Sequence, residues 1–512
     1  MTPIASSPGS ARRKLLALCC MALAAGAAAS PSPAGGRQEF RREFAKTLPL
    51  AAPQRLRLEN SNGDVRVRTH AAAEVQIRAA IRVSSSDREG ASKFADEIRI
   101  EVAASADGVS VRTVFPRKDW QFSGSGFVSY AVDYDVLMPD TALLDVENRF
   151  GNVSVENLHA AGNVRNANGS IEIRAARGVQ RAENSFGSLT MAGIDGDVSA
   201  INSNGEVSVT DVKGRAEIRN RFGRVDAARI ARASTIGNNN GDVRGSDLAG
   251  GSTVATSFGR IDVDTIGGDI ELHDSNGAVT ARQIKGSVRI DTRFGAVEAS
   301  GIGGNAVIED SNGSVTLSDV SGSAEVRGSF GSIGVVRIGK GATVTSSNAP
   351  VTVGHVKGNV RVRTSFGLVD TRDIEGNVSV ENGNGGVRGG AIRGTANIRT
   401  SFAPVSLAAV ADAIDVENQN GSIDVQAPEG KECRRAALRT SFGAIRFVLP
   451  ANPDYRVEAR TSFGRIHSEV PISTTDRDTG SSDTTVSGVL GSGRCPLTLT
   501  DSNGSIEILK SR

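Results

Sequence analysis

The sequence predicts an all-β protein, a parallel β-solenoid of 18-residue, two-strand rungs with an irregular cap at each end. Three observations carry that prediction. A two-residue corner recurs every 18 residues from Phe150 to Asn420, sixteen times without a slip, its first residue alternating between Phe and Asn and its second being Gly or, as in Phe402-Ala403, Ala. Fixed-period self-similarity of this kind marks a solenoid. Between corners, apolar and polar residues alternate in short runs, the signature of half-buried strands. The third observation is the order of charges. Strands on adjacent rungs lie about 4.8 Å apart, where like charges directly opposite destabilise. In the columns two, four, nine and fifteen residues after the corner, neighbours 18 apart give 15 opposite-sign pairs and one like pair, Asp291 with Glu309. Neighbours 36 apart give two opposite and nine like pairs, so one rung is 18 residues although the corners alternate. Column thirteen dissents, because Arg289, Glu325 and Arg361 pair better at 36.

Each rung reads as two strands joined by two bends. Position three after the corner is nearly always Val, Ile or Leu (Val153, Ile171, Leu189, Val207), and position eight usually is (Ile194, Val212, Ile230). Position ten is usually Gly, as in Gly178, Gly196 and Gly214, and positions twelve and fourteen are mostly small or β-branched. Glycine supplies the dihedral freedom a tight bend needs, and Asn before it tolerates left-handed backbone. An isolated Asn-Gly equally suits an antiparallel hairpin. A meander, however, has no reason to hold one length over sixteen units. The corner shares parity with positions twelve and fourteen, so it is expected to point inward, each Phe ring spreading over the smaller Asn above and below. Sixteen rungs make a rod of roughly 75 to 80 Å.

The ends depart from this pattern, as caps do. Residues 1–29 read as an export signal, with Arg12-Arg13-Lys14, an apolar run from Leu15 to Ala25 and Ala27-Ala28-Ala29. Cys19 and Cys20 follow Leu18 and Cys19, not the small residue that lipoprotein processing uses, so lipidation is the lesser expectation. Residues 30–38 are a linker by composition and 39–145 an N-terminal β-rich cap. The cap has one helix candidate, Ser86 to Ile98, with Ser86-Asp87 as its start. Trp120, Tyr130 and Tyr134 are expected to cover the first rung. Residues 146–425 are the regular solenoid and 426–512 the C-terminal rungs and cap, with corners at Phe442, Phe463 and Asn503. Ser473 to Gly493, rich in Ser, Thr, Asp and Gly, reads as a loop. Export favours a disulfide between Cys433 and Cys495. If the rungs stack in sequence order, the Phe463 rung intervenes and leaves the two Cα atoms roughly 9–10 Å apart, beyond disulfide reach. A bond therefore requires the Cys495 strand to skip or bend around that rung, and both outcomes stay open.

Glu59-Asn60-Ser61-Asn62-Gly63-Asp64-Val65-Arg66-Val67, Tyr134-Asp135-Val136-Leu137-Met138-Pro139 and Asp145-Val146-Glu147-Asn148-Arg149-Phe150-Gly151 resemble the opening of the toastrack family. The closing Leu497-Thr498-Leu499-Thr500-Asp501-Ser502-Asn503-Gly504-Ser505-Ile506-Glu507-Ile508 is similar to that family's C-terminal end, so the likeness covers about residues 55–512. The regular Phe-Gly alternation and the large number of rungs depart from it. The resemblance implies an adhesin-like domain of unknown function, with no catalytic residues to carry over.

The search for chemistry returns little. Lys+Arg 59 against Asp+Glu 57 alternate in sign along the chain and leave no basic stripe for phosphates, and aromatics at 4% provide no stacking platform. Nucleic acid is not an expected partner. His70, His159, His273, His355 and His467 fall at unrelated phases of the repeat and read as surface residues. Asp274-Ser275-Asn276-Gly277, Asp310-Ser311-Asn312-Gly313 and Asp501-Ser502-Asn503-Gly504 look like the start of a calcium loop but lack its distal Glu, and read as turns. No Gly-x-Ser-x-Gly elbow, phosphate loop or paired-Cys zinc motif occurs. No metal, cofactor or catalytic residue is expected. Past the signal no apolar stretch is long enough to span a bilayer. The expected protein is a non-catalytic, exported periplasmic or cell-surface adhesin or scaffold, its partner an envelope protein or glycan surface. A β-helix carbohydrate-active enzyme is the alternative, but the unbroken rungs offer no loop cluster on which to build its cleft.

Overall fold

The computed structural model describes residues 38–116, 128–430, 433–472 and 484–511. The segment expected to be an export signal, nearly all of the expected linker, Trp120 and the first half of the Ser473–Gly493 segment lie outside the described residues. The described chain is an all-β parallel solenoid with a rung length of 18. Gln180–Phe186 pairs in parallel with Val198–Asn204 on one sheet, and Leu189–Ile194 with Val207–Val212 on the other. Arg244 lies between Asp226 and Asp262 on adjacent strands, as alternating charge requires. The dissenting column resolves too, since Val307 separates Arg289 from Glu325, and Thr343 separates Glu325 from Arg361. The one like pair, Asp291 beside Glu309, is bridged by Arg289, 3.1 Å from the first and 3.4 Å from the second.

The two sheets bury their facing sides against each other. A typical rung contributes Leu189, Met191 and Ile194 from one sheet and Val198, Ala200 and Asn202 from the other, all buried. Burying each large aliphatic side chain stabilises by about 1.5–3 kcal/mol. The inward positions are three, five and then eight, so the alternation slips by one residue. Position seven absorbs the slip in left-handed backbone on every rung from Asn157 (φ 59°) through Asp211 (φ 58°) and Arg337 (φ 57°) to Ala409 (φ 54°), with Gly193 and Gly301 in the same column. The parity change between positions five and eight was the sequence signal for this bend.

Both caps break sequence order. The rung Arg55–Asn60 and Val65–His70 stacks directly on Leu143–Phe150 and Val153–Glu156. Gly108–Val114 and Ser129–Pro139 lie on its other side, also parallel. The antiparallel strands Arg99–Ser105, Glu74–Ser85 and Gln38–Pro49 then close that end, so the first strand begins at the last residue assigned to the linker. The expected helix runs Arg88–Glu97, with Asp87 accepting at 2.9 Å from the backbone N–H of Gly90. Tyr130 packs its ring 5.0 Å from Phe94, while Tyr134 is buried with its hydroxyl 2.6 Å from that of Thr113.

At the other end, Cys495–Asp501 inserts between Ala436–Thr440 and Tyr455–Thr461 instead of following the latter. Of the two strand orders left open, the Cys495 strand takes the one that skips the Phe463 rung. The insertion removes the rung that would have separated the cysteines, and Cys433 and Cys495 are disulfide-bonded with Cα atoms 5.9 Å apart. The loop expectation for Ser473–Gly493 is corrected in its second half. Thr484–Val489 forms a strand antiparallel to Tyr455–Thr461 and closes the sheet edge, which would otherwise expose unpaired backbone groups.

Candidate functional site: an exposed aromatic edge

The corner places Phe outside, against the expectation that it points inward. Inward alternation ends at position sixteen, with Asn184 buried, and the sheet register then skips a residue. Asn184 pairs with Asn202 and Phe186 with Asn204, leaving Ser185 between. That extra residue turns the corner side chain to solvent. The corner backbones also stack too tightly for more atoms inside. A Cβ on Gly205, at φ +136°, would lie 2.1 Å from the Gly187 carbonyl oxygen. Corner amides continue the ladder, Gly187 donating to Asn204 at 2.8 Å and Gly205 to Phe222 at 2.9 Å.

The interior of the vertex belongs to a polar column that the sequence reading missed. Two residues before each corner stand Asn148, Asn166, Asn184, Asn202, Asn220 and Asn238, followed on later rungs by Thr, Asp, Ser or Asn, all but Gly328 buried. The amide of Asn166 donates at 2.9 Å to the Gly151 carbonyl one rung below, and that of Asn202 at 3.1 Å to Gly187. Their Oδ1 atoms have no hydrogen-bond partner within the chain. The recurrence of Asn, Thr or Asp at this position was a usable signal. The corner Asn residues do satisfy backbone groups, but from outside, as Asn204 donates to Ser185 at 3.4 Å and Asn276 to Ser257 at 3.0 Å.

The result is an aromatic ridge along one edge of the rod. Ten corner phenylalanines, from Phe150 to Phe402 and then Phe442 and Phe463, are 43% to 75% exposed. They recur every second rung, roughly 9.6 Å apart at the strand spacing. The strand insertion keeps the alternation intact in space, since Asn503 stacks between Phe442 and Phe463 although it follows both in the chain. At the other end the ridge stops at Asn62, because Ala131 holds the next corner position and the Tyr130 ring before it turns onto Phe94 and Phe115. Monomeric soluble proteins rarely leave apolar patches of this extent uncovered.

Beside the ridge the wall is a lattice of ion pairs. Arg224 bonds Glu206 at 2.7 Å and Arg363 bonds Glu381 at 3.1 Å, and on the opposite bend Lys213 bonds Asp195 at 3.0 Å. The hydrogen bond from Arg224 pulls the Glu206 carboxyl below its ordinary value, while burial pushes Asp226 up against the pull of the same arginine. Along the opposite bend runs an open groove of about 700 Å³ lined by Asp319, Arg337, His355 and Asp373. Arg337 donates to Asp319 at 2.6 Å and holds it down at about 2, and His355 lies 3.4 Å from Asp373. His159 and His273 likewise sit against Asp140 at 2.8 Å and Asp291 at 3.3 Å. Among the described residues no three His, Cys, Asp or Glu side chains are grouped to hold a metal ion, and no helix is long and apolar enough to cross a membrane.

No family model and no curated protein matches the chain. Among solved structures, similarity extends to a candidate cell adhesion protein from Clostridium sporogenes, 7% identical over 92% of this chain and 100% of its own, with a TM-score of 0.15. A candidate adhesin from Parabacteroides distasonis is 13% identical over 67% of this chain and 97% of its own, with a TM-score of 0.16. At that level of likeness neither protein lends this chain an activity.

Proposed function

We propose that this is a non-catalytic, exported cell-envelope protein, an adhesin or scaffold, whose rod holds an extended partner along its side wall. The observation that carries the reading is the uncovered phenylalanine ridge, repeated along the whole rod. Weak contacts made at every second rung add along one rigid partner, which is the arithmetic of multivalency. The ion-pair wall flanking the ridge suits an envelope protein or glycan, because each outward column repeats about every 4.8 Å. The carbohydrate-active enzyme remains the competing reading, and one candidate cleft for it is the groove at Asp319 and Asp373. There both carboxylates are engaged by Arg337 and His355, which leaves neither poised as a free acid or base. The test is to incubate the purified chain with isolated cell-envelope material, measuring both retention and release of soluble glycan. Retention that weakens stepwise as Arg224, Asp242 and Arg260 are neutralised is expected. Glycan release abolished by Asp319→Asn or Asp373→Asn alone would replace this reading with the enzyme.

A further inference from the structure

We infer that the occupant of the phenylalanine ridge is a second copy of this chain, paired antiparallel so that the rings of each rod settle over the corner asparagines of the other. The inference rests on the reading of the wall as a binding surface and names its partner. Three observations lead to it.

The first is area. A phenylalanine offers on the order of 200 Å², and these ten are 43% to 75% exposed. Roughly 1,100 Å² of ring surface per copy is thus available, and covering even half of it on both rods clears the ~1,000 Å² that a specific interface requires. The ring-flanking residues are compatible with burial. Ser185, Ser257, Ser329, Ser365, Ser401, Ser441 and Ser462 precede seven of the rings, and Leu368, 37% exposed, lies beside Phe366.

The second is periodicity. Rings separated by roughly 9.6 Å leave gaps of one rung, each floored by an Asn. A second ridge of the same period fills those gaps without further adjustment. The stack runs from Asn62 through sixteen regular corners to Phe442, Asn503 and Phe463, which makes ten Asn alternating with ten Phe. An antiparallel twofold axis between the Phe294 and Asn312 corners seats all ten rings of each copy. Phe294 lies over Asn312, Phe150 over Asn503 and Phe463 over Asn62 of the second copy.

The third is charge. Arg149, Arg221 and Arg293 precede three rings, and all lie in the N-terminal half of the ridge, while Ser precedes the later rings. Closed pairing of two identical rods has two forms, parallel or antiparallel. With the twofold axis along the rods, every residue faces itself, so each of these arginines meets its own copy and each ring meets a ring. In the antiparallel register Arg293 faces Ser311, Arg221 faces Gly383 and Arg149 faces Ser502, all uncharged. Like-charge juxtaposition thus excludes one form and admits the other.

The full chain is examined by sedimentation velocity, with Cys19→Ser and Cys20→Ser added for cross-linking. The expected result is a two-copy species that persists in ~1 M salt, since apolar contact is not screened. Combining Phe258→Ser, Phe294→Ser, Phe330→Ser and Phe366→Ser is expected to weaken pairing at least ~100-fold while leaving the circular dichroism unchanged, because the replaced rings are exposed. If that variant fails to fold, Phe294→Ser and Phe330→Ser alone are each expected to weaken pairing about tenfold. Asn312→Cys, beside the axis, is expected to link to its own copy through a short bis-maleimide, which spans the ring lying between the rods, and Asn168→Cys is not. A wild-type chain that stays a single copy at ~100 μM overturns the pairing. So does a fourfold variant that still pairs, or Asn168→Cys cross-linking in preference to Asn312→Cys. A single-copy rod retained on envelope glycan or protein through the ridge overturns self-pairing and leaves the proposed function standing. A single-copy rod that binds nothing sinks both.

Discussion

Replacing Asn202 isolates what the buried polar column does. Its amide donates at 3.1 Å to the Gly187 carbonyl, which has no backbone donor, while its own Oδ1 has no partner in the chain. Thr and Val are nearly the same shape, and only Thr retains a donor. Thr already performs this task elsewhere, as Thr400 donates to Gly385 at 3.2 Å and Thr440 to Gly421 at 3.1 Å. Asn202→Thr is therefore expected to be close to neutral, since it trades an amide and an orphaned oxygen for one hydroxyl. Asn202→Val leaves the Gly187 carbonyl buried and unpaired, which costs about 1–3 kcal/mol relative to Thr. Contacts in a solenoid run only between neighbouring rungs, so the loss is local. Amide exchange of Leu189–Ile194 and Val207–Val212 reads it directly. A difference of about 2 kcal/mol opens that region roughly 30-fold more often in the Val variant. Equal protection in the two variants, or better protection in Val, would refute the idea that the corner carbonyls need a donor from inside.

Gly205→Ala is expected to destabilise by about 2 kcal/mol or more, because the corner combines φ +136° with a carbonyl 2.1 Å from the new Cβ. Ala391→Gly, in the left-handed column at φ 54°, is expected to stabilise by on the order of 0.5 kcal/mol, and urea midpoints moving in the same direction for both would contradict the backbone assignment. Cys433→Ser releases a cross-link spanning 62 residues, worth up to about 4 kcal/mol by loop entropy. Its effect on protease resistance is expected to stay within 426–512, and global unfolding would count against nearest-neighbour stacking. Burial raises the carboxyls of Asp274, Asp310 and Asp501 above 3.8, although backbone N–H donors oppose the shift. The folded state then holds their protons more tightly than the unfolded chain, so stability falls as pH rises from 3.8 through the raised values. Asp319, held down at about 2, has the opposite sign and loses its contribution as pH falls from 3.8 through that value. Asp→Asn at the three buried positions is expected to flatten the first dependence and leave the acid side unchanged, and an unaltered pH profile would contradict it.

Local chemistry repeated often enough determined the rod. An 18-residue period of apolar positions, with glycine at the bends, leaves only stacked strands able to bury every apolar column at once. The charge columns specified the register because opposite charges touch only when rungs are 18 apart, as the Asp226, Arg244 and Asp262 neighbours illustrate. The helix start at Asp87 was legible for the same local reason, a side chain capping its own first turn. Which way the corner faces was not local. Parity counted along the chain placed Phe186 inside. The structure instead spends one unpaired residue, Ser185, on the bend, since stacked corner carbonyls leave room within only for Asn184 and its counterparts. The order of the terminal strands was equally out of reach. Nothing near Cys495 in sequence says that its strand slides between two earlier ones, because that choice is made by sheet edges hundreds of atoms away seeking partners. Tertiary structure thus turned a row of turn residues into an exposed aromatic ridge, and joined two cysteines that sequential stacking would have held apart.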